Sequence, residues 1–330
     1  MPQHRINRFY VNIMLLIVGV SITACNSEPE IDTRSVQIET RFKRFDQAFF
    51  ETDTTHFETA LAEVKKQYPL FFQNNGTLRF WRNLRTEELR NKLHQKAQKI
   101  FGDLEPENAQ LDLLLKHYYA LFGTQDTLSF FTHISRLDFN YPILPADSVY
   151  FVALDLYLGK ESPFYQGMPR YLAYNRQPQF LVRDLGYTLY ENQVNRKKVN
   201  ETLLEAMVYF GKIYYLLEQS MPEITEADLM QYPPDKLKFA QEHEKEMWVY
   251  FIENQLLFRS SADAKRRFID VAPFSKFRTE LDVNTPGQIG HWFGYKIVKA
   301  FHAQNPQLSF QELIAENDAQ KILKLSAYKP

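Results

Sequence analysis

The sequence predicts a predominantly helical α+β domain with a small β-sheet. Over most of the 330 residues, apolar residues recur at helical spacing between charged ones, a pattern typical of amphipathic helices. Two segments, 129–141 and 148–158, are instead rich in Phe, Ile, Val and Tyr and are separated by prolines, which indicates two strands that pair as neighbours. No repeat or long linker divides residues 35–330, so we expect them to form a single domain.

The other elements follow from the same patterns. In segment 36–50 the apolar residues first alternate and then change to helical spacing, which predicts a short strand running into a helix. Further helices are expected at 78–100, 111–121, 202–217, 240–258, 263–269, 287–301 and 310–325. The helix at 202–217 is apolar nearly all round, so we expect it to be buried.

The composition excludes several classes of protein. Lys and Arg number 39 against 40 Asp and Glu, and no basic run stands out, which argues against nucleic acid as a partner. A content of 45% hydrophobic and 24% charged residues is that of a globular protein and excludes a disordered or polytopic membrane chain. With 27 Phe and 19 Tyr but only 11 Gly, the core is expected to be built around large rings.

The first residues have the pattern of a secretory signal. Arg5 and Arg8 precede the apolar run 11–20, which is about half the ~20 residues that a membrane-spanning helix needs. The tetrapeptide Ile-Thr-Ala-Cys that ends at Cys25, the single cysteine, resembles a bacterial lipobox. We therefore expect residues 1–24 to be a lipoprotein signal peptide and Cys25 to be acylated. A transmembrane anchor and an unpaired secreted thiol are the alternatives.

The mature chain would then begin at Cys25 and be held on a lipid bilayer without spanning it. Residues 25–34 are polar and acidic and contain a proline, which indicates a flexible tether between the acyl chains and the domain. The expected location is the cell envelope, on either the inner or the outer membrane, with the domain facing the periplasm.

The sequence contains no local motif of catalytic chemistry. The eight histidines do not cluster, and His243 is followed by Met247 where a second zinc ligand would stand. Neither a G-x-S-x-G elbow nor a phosphate-binding loop occurs. Gly287, Gly290 and Gly294 lack the spacing of a dinucleotide-binding turn and predict close packing of a helix instead. We therefore predict no metal, no cofactor and no catalytic residue.

Several segments distributed over nearly the whole chain carry a resemblance to a known family. They are the lipobox ending at Cys25, Arg44–Phe50, Lys65–Phe72, Leu154–Gly159, Thr202–Tyr214, Arg267–Ile269 with Ala272–Phe277, Thr285–Val298 and Ser326–Pro330. Together they resemble GldB, a family of gliding motility lipoproteins of the Bacteroidetes. The resemblance implies a membrane-bound lipoprotein required for cell gliding. In these bacteria gliding is tied to the type IX secretion machinery, whose envelope proteins are the expected partners.

A second similarity concerns the layout of segment 180–298. It is similar to zinc peptidases that carry H-E-x-x-H on one helix, Glu-Gly on a following helix and a late Pro-Gly-x-x-Gly. This register assigns the metal-site positions to Arg183, Asp184, Tyr187 and Phe210, and the late cleft or packing loop to Pro286, Gly287, Gly290 and Gly294. Because Arg and Phe offer no zinc ligand and Tyr rarely does, the similarity implies a degenerate zincin-like fold without its metal. Alternatively, Arg183 and Asp184 form a surface or interhelical charge pair, and Phe210 is a core ring.

These observations favour a non-catalytic lipoprotein that binds other envelope components. Two alternatives stay open. One is an envelope hydrolase similar to metallopeptidases, and the other is a peptide- or glycan-binding lipoprotein that uses the remaining cleft. A deep cleft bounded by Tyr187, Phe210 and the loop 286–294 would favour the last alternative, and a filled interior there would exclude it.

Overall fold

The computed structural model describes residues 30–74, 76–123, 127–196 and 199–330. The predicted signal peptide, residues 1–24, and the predicted acylation site, Cys25, lie outside the described residues. Within those ranges the protein combines one small sheet with fifteen α-helices in a single α+β domain, as the sequence predicts.

The sheet contains three parallel strands and one antiparallel edge strand. The strands are β1 (Lys43–Arg44), β2 (Ser129–His133), β3 (Ile143–Ala146) and β4 (Val149–Ala153). They are arranged in the order β1-β2-β4-β3, with β2 parallel to both β1 and β4 and β3 antiparallel to β4. The two predicted strands, now β2 and β4, therefore pair directly, and Phe131 stands opposite Phe151.

Both predicted strands are shorter than expected, because the chain turns after each of them. Behind β2, Arg136 and Leu137 adopt left-handed backbone conformations, with φ of 68° and 63°. The buried carboxylate of Asp155 holds this turn by accepting hydrogen bonds from the N–H groups of Ser135 and Leu137, at 2.8 and 2.7 Å. One of the separating prolines, Pro145, lies within the edge strand β3, where a missing N–H donor is tolerated.

Helices precede and follow the strands β2 to β4. Those before are α1 (Phe45–Phe50), α2 (Phe57–Gln67), α3 (Leu78–Thr86), α4 (Glu88–Phe101) and α5 (Glu105–Phe122). Those after are α6 (Arg170–Tyr174), α7 (Leu181–Glu191), α8 (Leu203–Ser220), α9 (Glu226–Met230), α10 (Pro234–Glu242), α11 (Glu244–Glu253), α12 (Ala262–Phe268), α13 (Ile289–Gln304), α14 (Phe310–Ala315) and α15 (Ala319–Ser326). None of the helices in the described ranges is long and apolar enough to cross a bilayer.

Three predicted helices, 78–100, 240–258 and 310–325, are each divided into two. The last of these divisions has a clear physical cause. Asp318 caps the start of α15 by accepting a hydrogen bond from the N–H of Lys321. The buried Lys212 donates to the carbonyl of Ile314 near the end of α14. Apolar periodicity does not record such contacts, so it predicts one continuous helix where two are present.

The centre of the core is the contact between α8 and α13. As predicted, α8 is buried along nearly its whole length, and it packs against α13. A Cβ atom placed on Gly294 would lie 1.7 Å from the carbonyl oxygen of Met207, and one placed on Gly211 would lie 2.2 Å from the carbonyl oxygen of Gly294. The two backbones are therefore in direct contact, which confirms the close packing predicted for Gly294.

Gly294→Ala should lower the free energy of unfolding by about 3 kcal/mol or more, because the added methyl would overlap backbone atoms that cannot rotate away. Gly186→Ala is the matched control: its methyl would meet the side chains of Leu217 and Leu114, at 2.7 and 3.0 Å, and side chains can move. Chemical denaturation followed by circular dichroism measures both variants. Equal losses would contradict the backbone contact between α8 and α13.

Candidate functional site

The positions that the zinc-peptidase register assigns to a metal site lie on two helices that pack against each other. They are Arg183, Asp184 and Tyr187 on α7 and Phe210 on α8. The start of α8 is fixed by a capping box, in which Thr202 and Glu205 each accept a hydrogen bond from the other's backbone N–H. This start determines which residues of α8 face α7.

Residues from α7, α8 and α13 form one aromatic cluster around Arg183. The guanidinium carbon of Arg183 lies 5.4 Å from the ring centre of Tyr187 and 5.2 Å from that of Tyr214. The Tyr214 hydroxyl is 3.4 Å from Nδ1 of His291, and the His291 ring stacks on Phe210 with a centroid distance of 3.7 Å. The structure thus brings together the predicted Arg183, Tyr187 and Phe210, and it joins them through Tyr214 and His291, which the sequence reasoning did not single out.

Arg183 is buried, and its charge is compensated inside the protein. Its Nε and Nη2 atoms donate to the carbonyl oxygen of Leu229, at 3.0 and 2.8 Å, and its Nη1 atom donates to the carboxylate of Asp184 at 2.9 Å. A buried cation needs such partners because its desolvation is costly. Arg183 and Asp184 therefore form the charge pair that the alternative predicts, but the pair lies within one helix and is largely covered, so it is neither interhelical nor on the surface.

The carboxylate of Asp184 accepts two further hydrogen bonds. The hydroxyl of Tyr157 donates to it at 3.0 Å, and the side-chain amide of Gln231 donates to it at 2.9 Å. Burial raises the pKa of Tyr157 well above its usual value, so this hydroxyl stays protonated and remains a donor. The side chains of Arg183, Tyr157 and Gln231 thus all donate to one carboxylate, and Asp184 links α7 to two other segments of the chain.

His291 is a neutral histidine in the interior. The side chain is 2% exposed and lies against the rings of Phe210 and Tyr214. Burial, together with repulsion from the cations of Arg183 and Arg196, lowers the pKa of His291 to about 3. The imidazole therefore carries no charge at neutral pH.

The donor set at these positions does not fit a zinc ion. Arg183 is a cation, Phe210 has no donor atom, and the Asp184 carboxylate is engaged by three hydrogen bonds. Across the described ranges, no three His, Cys, Asp or Glu side chains are grouped closely enough to hold a metal. The positions of the zinc-peptidase register instead provide packing and charge compensation.

Only part of the predicted cleft is open. At Phe210 and Gly294 the interior is filled by stacked rings and by the contact between α8 and α13. A pocket of about 830 Å³ opens beside this filled region, and of the predicted site residues only Pro286 and Gly287 line it. The predicted loop combines two roles. Cβ atoms placed on Gly287, Gly290 and Gly294 would all overlap neighbouring atoms, the one on Gly287 lying 2.0 Å from the carbonyl oxygen of Ala272. Pro286 and Gly287 also border the pocket.

Comparison with known proteins identifies the family. Residues 25–330 match the family model described as gliding motility protein GldB. The chain belongs to the GldB family. This confirms the resemblance carried by the sequence motifs, and it links the protein to gliding motility. No curated protein and no solved structure shows a significant match to the chain.

Three of the segments that carry the resemblance contribute to the aromatic cluster and its hydrogen bonds. Segment 202–214 contains Phe210 and Tyr214, and segment 285–298 contains His291. The motif at 154–159 supplies Tyr157, the hydroxyl donor to Asp184. In this GldB protein these three segments therefore build part of the interior.

Acid should destabilise this GldB protein through His291. The folded-state pKa of about 3 lies below the value of 6.5 for an unperturbed histidine. Between these two values the unfolded chain binds a proton that the folded chain does not bind, so the free energy of unfolding falls as the pH drops below 6.5. At about pH 4.5 the loss should be about 2–3 kcal/mol relative to neutral pH.

Urea denaturation at about pH 7 and about pH 4.5 measures this loss. His291→Phe keeps a ring against Phe210 but has no imidazole to protonate. Its free energy of unfolding should therefore lack the fall that His291 causes between neutral pH and about pH 4.5. His117→Gln is the control, because His117 lies outside the aromatic cluster, on α5, where its ring contacts the carbonyl of Leu113 one turn earlier. The difference in stability between the two pH values should persist in this variant. Equal pH dependence of the wild type and His291→Phe would contradict a neutral, buried His291.

Proposed function

We propose that this protein is a lipid-anchored, non-catalytic component of the gliding apparatus in the cell envelope. Membership of the GldB family carries the proposal, and the family match begins at Cys25, the residue predicted to be acylated. The signal pattern and lipobox before that residue support acylation, which would hold the mature chain on a bilayer with its domain facing the periplasm.

The hydrogen bonds made by Asp184, at one of the predicted metal-site positions, support a non-catalytic role. The Asp184 carboxylate is engaged by Arg183, Tyr157 and Gln231, whereas a general base needs a water or substrate proton within reach. Such a component acts through its surface. Its partners would be envelope proteins of the gliding and type IX secretion machinery, and the net charge of -1 argues against nucleic acid.

The charge pair in α7 provides a test of the non-catalytic role. Asp184→Ala should lower the free energy of unfolding by about 3 kcal/mol or more, because Arg183 would stay buried without its carboxylate. The double variant Arg183→Met/Asp184→Ala removes both charges and should regain part of that stability. Denaturation of the purified proteins measures the stability of each variant. The gliding of cells that carry it measures its function.

If the pair is structural, cells with the double variant should glide whenever the protein reaches its wild-type level. A stable and abundant double variant that no longer supports gliding would contradict the structural role and favour the hydrolase alternative.

Cys25→Ala should abolish acylation, release the protein from the membrane fraction and stop gliding, because the thiol is the predicted attachment point of the lipid. Incorporation of labelled palmitate measures acylation, and cell fractionation measures membrane attachment. Ser27→Ala, two residues away, is the control and should behave as the wild type. Palmitate found on the Cys25→Ala protein, or its full retention in the membrane fraction, would count against lipid anchoring.

A further inference from the structure

Two pockets adjoin on the surface of the protein. The first is the pocket of about 830 Å³, bordered by segments 160–175, 230–236 and 271–288, which we call the tyrosine pocket. The second, of about 530 Å³, is formed by segment 263–278, and we call it the basic pocket. Val271 and Ala272 line both, so the two pockets adjoin at these residues, and we call the pair of pockets the groove.

The tyrosine pocket has a wall of aromatic rings. Its tyrosines are Tyr165, Tyr171, Tyr174, Tyr214 and Tyr232. The Tyr174 hydroxyl donates to the carbonyl oxygen of Tyr232 at 3.3 Å, and the Tyr232 hydroxyl donates to that of Gln288 at 3.2 Å. These two hydrogen bonds fix the positions of the Tyr174 and Tyr232 rings. The pocket is therefore preformed, and it offers ring surfaces to an apolar or aromatic occupant.

The basic pocket has more positive than negative side chains. They are Arg266, Arg267, Lys276 and Arg278, against Asp263 and Asp270. The three arginines share the single carboxylate of Asp263, with N–O distances of 2.9, 3.5 and 3.1 Å. Arg266 and Arg278 nevertheless stay 72% and 68% exposed. The pocket therefore has cationic groups that an anionic partner can reach.

Positive charge also borders the tyrosine pocket. Lys160 and Arg170 lie at its edge and, like Lys276, form no ion pair with a residue that the structure describes. The tyrosine pocket also contains the acids Glu161 and Asp235, so the excess of positive charge is greatest in the basic pocket. The whole chain has a net charge of -1, and the groove is thus a local cationic region on a nearly neutral protein.

Exposed apolar side chains accompany the groove. Val271, at the junction of the two pockets, is 61% exposed. Val283 is 73% exposed, and its carbonyl oxygen accepts a hydrogen bond from Lys236, a residue of the tyrosine pocket. Apolar groups next to accessible arginines are characteristic of surfaces that bind proteins.

We propose that the groove binds an extended, acidic polypeptide segment that carries aromatic or proline residues and belongs to another envelope protein. The inference rests on the proposed function, since it supplies the surface through which a non-catalytic component would act. Rings of the segment would pack in the tyrosine pocket, and its carboxylates would meet the arginines and Lys276 of the basic pocket. A neutral glycan would leave these cations unused, and a lipid headgroup would occupy one pocket only.

The test uses the mature, acylated protein, residues 25–330, in a neutral detergent. Random peptides displayed on phage are selected against it, and synthetic copies of the selected peptides are measured by fluorescence polarisation. The selected peptides should be enriched in Asp and Glu together with aromatic residues or proline. Arg170→Glu/Lys276→Glu should weaken their binding about tenfold or more, because it reverses two unpaired charges at opposite parts of the groove.

Arg79→Glu/Lys99→Glu is the matched control. It changes the net charge equally at exposed positions on α3 and α4, outside both pockets, and it should keep the wild-type affinity. Selected peptides without acidic and aromatic or proline enrichment, or equal affinity for the two double variants, would overturn the proposal. Displacement of the peptides by phosphatidylglycerol dispersed in the same detergent would also overturn it, in favour of a lipid site.

A cellular measurement separates the groove from the anchor. The Arg170→Glu/Lys276→Glu protein should remain acylated and membrane-bound but fail to support gliding. If cells with this variant glide normally while cells with Cys25→Ala do not, the groove proposal is wrong and the proposed function stands.

Discussion

The contact between the backbones of α8 and α13 determines the arrangement of the interior. The carbonyl oxygen of Met207 occupies the place that a side chain on residue 294 would need, so the two helices lie as close as backbones allow. Large side chains near the crossing cannot lie between the helices and must pack beside it. Phe210 and Tyr214 of α8 therefore meet His291 of α13 in a stack that also faces α7.

This stack has an electrostatic consequence. It covers the guanidinium of Arg183, and a covered cation needs partners inside the protein. The Leu229 carbonyl and the Asp184 carboxylate supply them, and Asp184 in turn binds Tyr157 and Gln231. These bonds join α7 to the end of α9 and to the turn that follows β4. One close helix crossing thus leads to a network that connects the helical part of the domain with the sheet.

The sequence allowed the local features of this fold to be predicted. Helical periodicity, the apolar character of segment 202–217 and the glycines around Gly294 are all visible within a few turns of chain. The features that it did not reveal depend on distant partners. Lys212, for example, binds the carbonyl of Ile314, 102 residues away, at the division between α14 and α15.

The candidate site shows the same limit. The zinc-peptidase register placed Arg183, Tyr187 and Phe210 near one another, but Tyr214 and His291, which join them, lie 77 residues apart and have no shared local signature. The groove combines segments that are likewise distant in sequence, such as those around Lys160 and Lys276. Only folding brings them together.

The proposed attachment to a membrane would change the affinity with which such a groove has to bind its partner. An anchored protein and a partner in the same envelope meet at an effective concentration far above that of two freely diffusing proteins. A groove with a preformed aromatic wall and exposed cations can then act through a weak contact, in which charge attraction speeds encounter and selects the partner. A weak contact also dissociates quickly, because differences in affinity between related complexes arise mostly from dissociation rates. An apparatus that moves the cell must form and break contacts repeatedly. The proposed groove, on a domain anchored by lipid as proposed, would meet that requirement better than a tight and permanent interface.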